Sequence, residues 1–259
     1  MVTGKGLTMR MKRLLVAAIV LASPTALVLP ASAEWFADLY AGTAFTLGND
    51  VFVLGTKLDP PGDFTRQHRA VNFDTSASFG GRFGRWDDTW SWLGVALDVS
   101  HFHPDVSRQT VITTETDLDG SVKQRSPFAR LDLSVTAISF DLMFRWPFLK
   151  SDQFPKGRLQ PYLSGGVAAF VATAEDTTNF GPPNKQSDTD ASIGVKASAG
   201  VAWQLHQNFF VFGEYRFTHF SPEFSFSPSP ASGADTSGRT RVQMDLNTHH
   251  MLMGVSYRF

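Results

Sequence analysis

The chain has 259 residues, 42% of them hydrophobic and 13% aromatic, with a formal charge of −1 and no cysteine. The absence of cysteine excludes a disulfide scaffold and a thiolate metal site, and the mild acidity gives no nucleic-acid footprint. Past the N-terminus, no run approaches the roughly 18 apolar residues of a membrane helix.

Lys5, Arg10, Lys12 and Arg13 precede an apolar stretch from Leu14 to Pro30, followed by Ala31-Ser32-Ala33. Basic flank, apolar run and small-x-small site together read as a signal peptide over 1–33, cleaved before Glu34. Pro24 and Pro30 argue against a retained anchor. Cleavage leaves 259 − 33 = 226 residues, a single domain over 34–259, and lowers the charge by four to −5.

The remainder alternates with period 2, the signature of strands with one apolar face. Eight segments stand out, at about 34–47, 71–86, 90–103, 131–147, 158–174, 190–205, 209–224 and 246–259. In the sixth, Ile193, Val195, Ala197, Ala199, Val201, Trp203 and Leu205 share one face, and Ser192, Gly194, Lys196, Ser198 and Gly200 lie on the other. A soluble sandwich would show the same local pattern. Three features favour a membrane barrel. The segments exceed the usual five or six residues of a globular strand. Their polar faces are rich in Gly, Ser and Ala, which suits a narrow interior. Short links (87–89, about 148–157, 206–208) alternate with long ones (about 48–70, 104–130, 175–189, 225–245), as periplasmic turns and outer loops do. The expected fold is therefore all-β: a closed antiparallel transmembrane barrel of eight strands, monomeric, with both termini periplasmic. In the fourth segment, Leu131, Leu133 and Val135 take one parity and Ile138, Phe140, Leu142 and Phe144 the other. A β-bulge near Thr136–Ala137, or an upper part clear of the membrane, would account for the switch.

This strand order gathers Trp35, Trp86, Trp90, Trp92, Trp146 and Trp203 at one end as an expected periplasmic aromatic girdle. His101, His103, His219 and His249 fall at the opposite rim, pointing outward at lipopolysaccharide level, and His250 points inward. They suit a lipid A contact surface, or a metal site if separate strands converge. His101-x-His103 alone is a weak metal signature, and neither metal nor cofactor is expected. Parity places Asp38, Asp74, Arg82, Asp98, Asp141, Arg145, Lys196, Glu214, Arg216 and Arg258 inside, a balanced set that points to ion-pair networks plugging the bore. Ser227 to Gly233 and Gly181 to Asn184 read as outer loops, whereas Thr110 to Thr116, with high β propensity, extends the hairpin above the third segment.

Gly254-Val255-Ser256-Tyr257-Arg258-Phe259 resembles the C-terminal signal read by the outer-membrane insertion machinery, carried by Gly254, Tyr257 and Phe259. Phe212-Gly213-Glu214-Tyr215-Arg216-Phe217 resembles the penultimate strand, and Pro161 to Val167 the fifth strand, of the OmpA-like and opacity-type surface barrels. The resemblance implies the fold, residence in the outer membrane, and contact with its lipids and lipopolysaccharide. It leaves the role open among a structural or surface-interaction protein, a lipid A-modifying enzyme of deacylase or oxidase type, and a narrow pore. His219-Phe220-Ser221-Pro222-Glu223 is similar to the deacylase's His-x-Ser arrangement. On one strand face His219 could reach Ser221, but Glu223 lies on the serine's far side, so the orienting acid would have to come from elsewhere.

Overall fold

The computed structural model describes residues 34–58, 61–117, 120–176, 186–226 and 236–259. The expected signal peptide and the stretches Gly181 to Asn184 and Ser227 to Gly233 lie outside these residues, and Glu34–Phe259 is one compact unit. Its fourteen strands are β1 (Glu34–Thr46), β2 (Asn49–Leu58), β3 (Pro61–Val71), β4 (Ser76–Trp86), β5 (Leu93–Phe102), β6 (Gln109–Asp117), β7 (Gly120–Phe128), β8 (Leu131–Arg145), β9 (Leu159–Asp176), β10 (Gln186–Gln204), β11 (Phe209–Phe220), β12 (Glu223–Phe226), β13 (Thr236–Met244) and β14 (Leu246–Arg258).

Eight of them close a barrel in the order β1-β14-β11-β10-β9-β8-β5-β4, every pair antiparallel. These are the eight alternating segments of the sequence. The first and last strands meet at the seam, where Trp35 N donates to Phe259 O and Phe259 N to Trp35 O.

The outward face is apolar. Leu39, Phe83, Leu97, Phe140, Val167, Val201 and Val255 are all exposed, with Leu97 53% accessible. Inside, small residues make room for rings. Five glycines sit directly across a strand pair from an aromatic side chain: Tyr40 with Gly80, Phe36 with Gly84, Trp86 with Gly94, Tyr162 with Gly200 and Phe212 with Gly254. A Cβ at Gly84 or Gly254 would stand 2.5 Å from the ring covering it. Each pair therefore fills the bore at a point where two larger side chains would collide.

The expected long loops contain a second sheet, of order β12-β13-β2-β3-β6-β7. That is the circular order of the barrel strands β11, β14, β1, β4, β5 and β8 that they adjoin in sequence. Six barrel strands thus pass through connections as short as Asp245 or Ser221-Pro222 into a wall that continues beyond the barrel rim. The stretch 110–116 lies in β6, as its composition predicts, and pairs with β3 and β7. Among the described residues β9 and β10 adjoin no strand of the second sheet in sequence and run long instead, paired from Gln186↔Asp176 to Trp203↔Leu159. From β10, Asp188 Oδ2 accepts the backbone N–H of Ser225 at 2.8 Å, and Asp190 Oδ2 that of Glu223 at 3.3 Å. Two carboxylates thereby cap the donors of edge strand β12.

The raised wall encloses an apolar core continuous with the upper bore. Val51, Val53, Phe64, Val111, Phe128, Phe224, Phe226 and Val242 from the raised sheet join Phe102, Leu133, Val135, Phe170, Ala172 and Phe220 from the barrel. Phe170 and Phe220 stack at 4.1 Å. This core explains the parity switch in β8. The strand is regular, paired without a shift from Leu131↔Asp176 to Arg145↔Tyr162, and no bulge interrupts it. Its odd residues face inward throughout, toward an apolar lid in the upper half and toward charges in the lower.

Among the described residues the raised sheet buries one titratable group. His68 Nδ1 lies 2.9 Å from Thr113 Oγ1, and its ring meets Phe128 edge-on. Burial, with a smaller contribution from Arg66, pushes its imidazole down to about 4, against an ordinary value of about 6.5. Between these values the unfolded sheet takes up a proton that the folded sheet refuses. Stability is therefore lost as pH falls from 6.5 toward 4, by up to about 3 kcal/mol. Hydrogen exchange in β6, corrected for its intrinsic pH dependence, is expected to be faster at pH 5 than at pH 7.5. His68→Leu should flatten that difference, and an unchanged difference would place the sensitivity elsewhere.

Candidate functional site

Three regions could carry function: the bore, the outer surface at the rim away from the termini, and the raised sheet.

In the bore, Asp38, Arg82, Asp98, Asp141, Arg145, Lys196, Glu214, Arg216 and Arg258 are buried. Seven form one chain of ion pairs. Arg82 Nε meets Asp38 Oδ2 at 2.9 Å and its Nη1 meets Glu214 Oε2 at 3.0 Å. Arg216 Nη2 holds Glu214 at 2.8 Å and Asp98 at 3.1 Å. Lys196 Nζ closes the run on Asp98 at 3.1 Å and Asp141 at 2.5 Å. Tyr40 OH donates to Asp98 at 2.9 Å and Tyr162 OH to Glu214 at 2.7 Å. β11 and β5 stand diametrically opposite in the strand order, so the Arg216–Asp98 pair crosses the full width of the bore. A void among Phe36, Asp38, Arg82, Tyr162 and Arg258 measures about 20 Å³, room for about one water.

Asp74 is not part of this network. β4 starts at Ser76, so strand parity does not extend to residue 74, and Asp74 is exposed, accepting from Ser107 Oγ at 2.5 Å. Its place in the balance is taken by Glu34, which has the same parity as Asp38. Glu34 bonds Arg145 at 2.6 Å and Arg258 at 3.0 Å, closing the terminal end with Gln160.

All six tryptophans are at the terminal end, but they do not share a face. Trp90 and Trp92 stack outside, Trp92 against Phe144, and Trp146 is exposed. Trp35 stacks on Phe83, and Arg158 lies over Trp203. Trp86 is a correction. It has the inward parity of Arg82, is 3% exposed, and lies under the Arg145 guanidinium at 4.2 Å, so it plugs the bore. Of the C-terminal residues, Tyr257 and Phe259 stack on the outer face, and Gly254 is covered by Phe212 inside.

At the far rim, His101, His219 and His249 lie on the outward face and are half-buried, His103 is exposed, and His250 is buried between Thr218 and Ser78. The residues of the possible nucleophilic site each bond a partner outside the trio. His219 Nδ1 bonds Asn247 Oδ1 at 2.8 Å, Ser221 Oγ donates to Asp245 at 2.5 Å, and Glu223 accepts from Gln243 at 2.6 Å. β11 ends at Phe220 and Pro222 begins the passage into β12, so the face that would have aligned the three is interrupted. The pairs Tyr215–His249, His219–Asn247 and Ser221–Asp245 instead form a polar ladder outside β11 and β14. Among the described residues no cluster of three or more His, Asp or Glu is placed to hold a metal ion.

On the raised sheet, a cleft of about 520 Å³ is lined by Arg66, His68, Arg108, Thr113, Gln124 and Ser126. Arg66 is paired with Glu115 at 2.7 Å. The outward face there is mixed: Asp63, Thr65 and Arg69 on β3 and Thr110, Thr116, Lys123 and Arg125 on β6 and β7 are exposed, beside exposed Phe52 and Leu54 on β2 and Ile112 on β6.

Residues 15–259 match the family model described as outer membrane protein beta-barrel domain. Among solved structures, the outer membrane protein OprG from Pseudomonas aeruginosa is similar at 15% identity and TM-score 0.51, covering 88% of this chain and 96% of that one. Neisserial surface protein A is similar at 11% identity and TM-score 0.46, covering 88% and 98%. Ail of Yersinia pestis is similar at 13% identity and TM-score 0.33, covering 88% and 98%. Curated proteins yield no match.

Proposed function

The chain belongs to the outer membrane β-barrel domain family and resides in the bacterial outer membrane, and from that premise we propose that it is a monomeric surface-interaction protein with a closed bore. Cleavage before Glu34 frees the barrel, both termini lie in the periplasm, and the raised sheet faces outward from the cell. The observation that carries this reading is the continuation of six barrel strands into a sheet whose outer face gains charged side chains, Asp63, Arg69, Lys123 and Arg125, where the barrel's is apolar. Such a change suits a wall that leaves the hydrocarbon and enters an aqueous layer. The short turns and the tryptophans at the opposite end support the same orientation.

The chain lacks cysteine, so single cysteines can report sidedness. Thr116→Cys in β6 is expected to react with a membrane-impermeant maleimide on intact cells, and Asp88→Cys only after the outer membrane is permeabilised. The reverse pattern would overturn the orientation. Ion pairs that cross the bore, with an apolar lid above them, leave no wetted path. Purified protein in planar bilayers is expected to give no channel events, and regular conductance steps would favour the pore reading. The engagement of His219, Ser221 and Glu223 with Asn247, Asp245 and Gln243 weighs against a deacylase-type reaction. Lipid A from cells with and without the protein is expected to give the same mass spectrum.

A further inference from the structure

His101 is the penultimate residue of β5, and His103 follows just beyond the strand end. Their Nε2 atoms are 3.0 Å apart, with ring planes at 84° and centroids 4.6 Å apart. Two nitrogen lone pairs that close repel unless a proton or a cation lies between them. A collinear N–H···N bond of that length would hold the centroids about 5.3 Å apart. Two imidazoles in adjacent positions of a square-planar ion, at about 2.0–2.1 Å and about 90°, have nitrogens about 2.9 Å and centroids about 4.5 Å apart. The observed pair matches the second geometry.

The surroundings favour the same state. His101 Nδ1 is 2.9 Å from Thr136 Oγ1 on β8. If Nδ1–H donates to this hydroxyl, the lone pair is left on Nε2, the tautomer needed by a ligand. Phe79 lies against the His101 ring at 5.5 Å and limits its rotation. The backbone N–H of Asp105 donates to His103 O at 2.9 Å, a turn that holds the second ring against the first. His103 is exposed, so an ion can enter and water can complete its coordination.

We propose that His101 and His103 form a two-nitrogen surface site for a divalent first-row transition metal, Cu²⁺ foremost, with water in the remaining positions. Cu²⁺ is favoured because it takes nitrogen ligands at right angles and stands highest in the order of divalent affinities. The site lies outside the bore and is independent of the sidedness proposed above.

The test uses tag-free protein, residues 34–259, folded in detergent and titrated with copper sulfate. Folding of each variant is verified by the shifted migration of unheated barrel on SDS gels. The wild type is expected to bind one Cu²⁺ per chain, with an electron paramagnetic resonance spectrum showing two imidazole nitrogens. His101→Ala and His103→Ala should each lose that species. His206→Ala, in the turn at the opposite end, should keep it. Thr136→Val should weaken binding about tenfold by releasing the His101 ring. A folded His103→Ala variant with wild-type stoichiometry and spectrum would overturn the proposal, as would a wild type that takes up no copper at micromolar concentration.

Discussion

Replacing Arg216 by methionine is expected to destabilise the barrel by about 3–5 kcal/mol, the cost of leaving buried carboxylates without their cation. Arg216 binds Asp98, Glu214 and the Tyr40 hydroxyl at once. Methionine fills a similar length and supplies none of these bonds. Arg82 and Lys196 remain, so Glu214 and Asp98 each keep one ionic partner, yet two acids then share less positive charge in a space with little room for water. Urea unfolding in lipid vesicles, followed by tryptophan fluorescence, measures the loss. A second change, Asp98→Asn in the Arg216→Met background, should recover part of it, because the uncompensated charge is removed with its partner. A loss below about 1 kcal/mol would mean that the pairs are solvated and the bore is wet.

Leu97→Arg is the second large effect. Leu97 lies on the outer face of β5 between Phe83 and Phe140, in the middle of the apolar belt. An arginine near the bilayer midplane costs about 2–4 kcal/mol. Phe52→Arg, on the outer face of β2 between Gln67 and Gln243, should cost about 1 kcal/mol or less, the range of strand-propensity effects. Equal losses at the two positions would place both in the same medium and remove the boundary drawn between barrel and raised sheet.

The barrel was legible because eight segments alternate over more residues than a globular strand needs. The raised sheet was legible only at Thr110 to Thr116. In β3 only Phe64, Ala70 and Val71 are apolar apart from its opening Pro-Gly, and in β7 only Val122, Pro127 and Phe128. Such strands carry too little alternation to stand apart from polar loops, and they form because the neighbouring wall supplies their pairing. The switch of parity in β8 mimics a bulge because the interior is apolar in its upper half and charged in its lower half. Leu131, Leu133 and Val135 point inward into a lid that only the folded loops create. Trp86 could have been placed inside from the parity it shares with Arg82, whereas Asp74 needed knowledge of where β4 begins. For the candidate sites, spacing was informative only where the strand persisted. His219, Ser221 and Glu223 are two apart but straddle a strand end. The approach of His101 to His103 depends on a turn at Asp105 that no spacing encodes.

Four of the six joints between barrel and raised sheet are one or two residues long: Leu47-Gly48, Ala129-Arg130, Ser221-Pro222 and Asp245 alone. A molecule landing on that sheet would meet scaffolding anchored covalently to the barrel at each of these points. Little conformational freedom would have to be surrendered on docking, so modest contact area could still yield useful affinity. Divergence among such surfaces would then proceed by exchanging side chains on a fixed frame rather than by lengthening pliable loops.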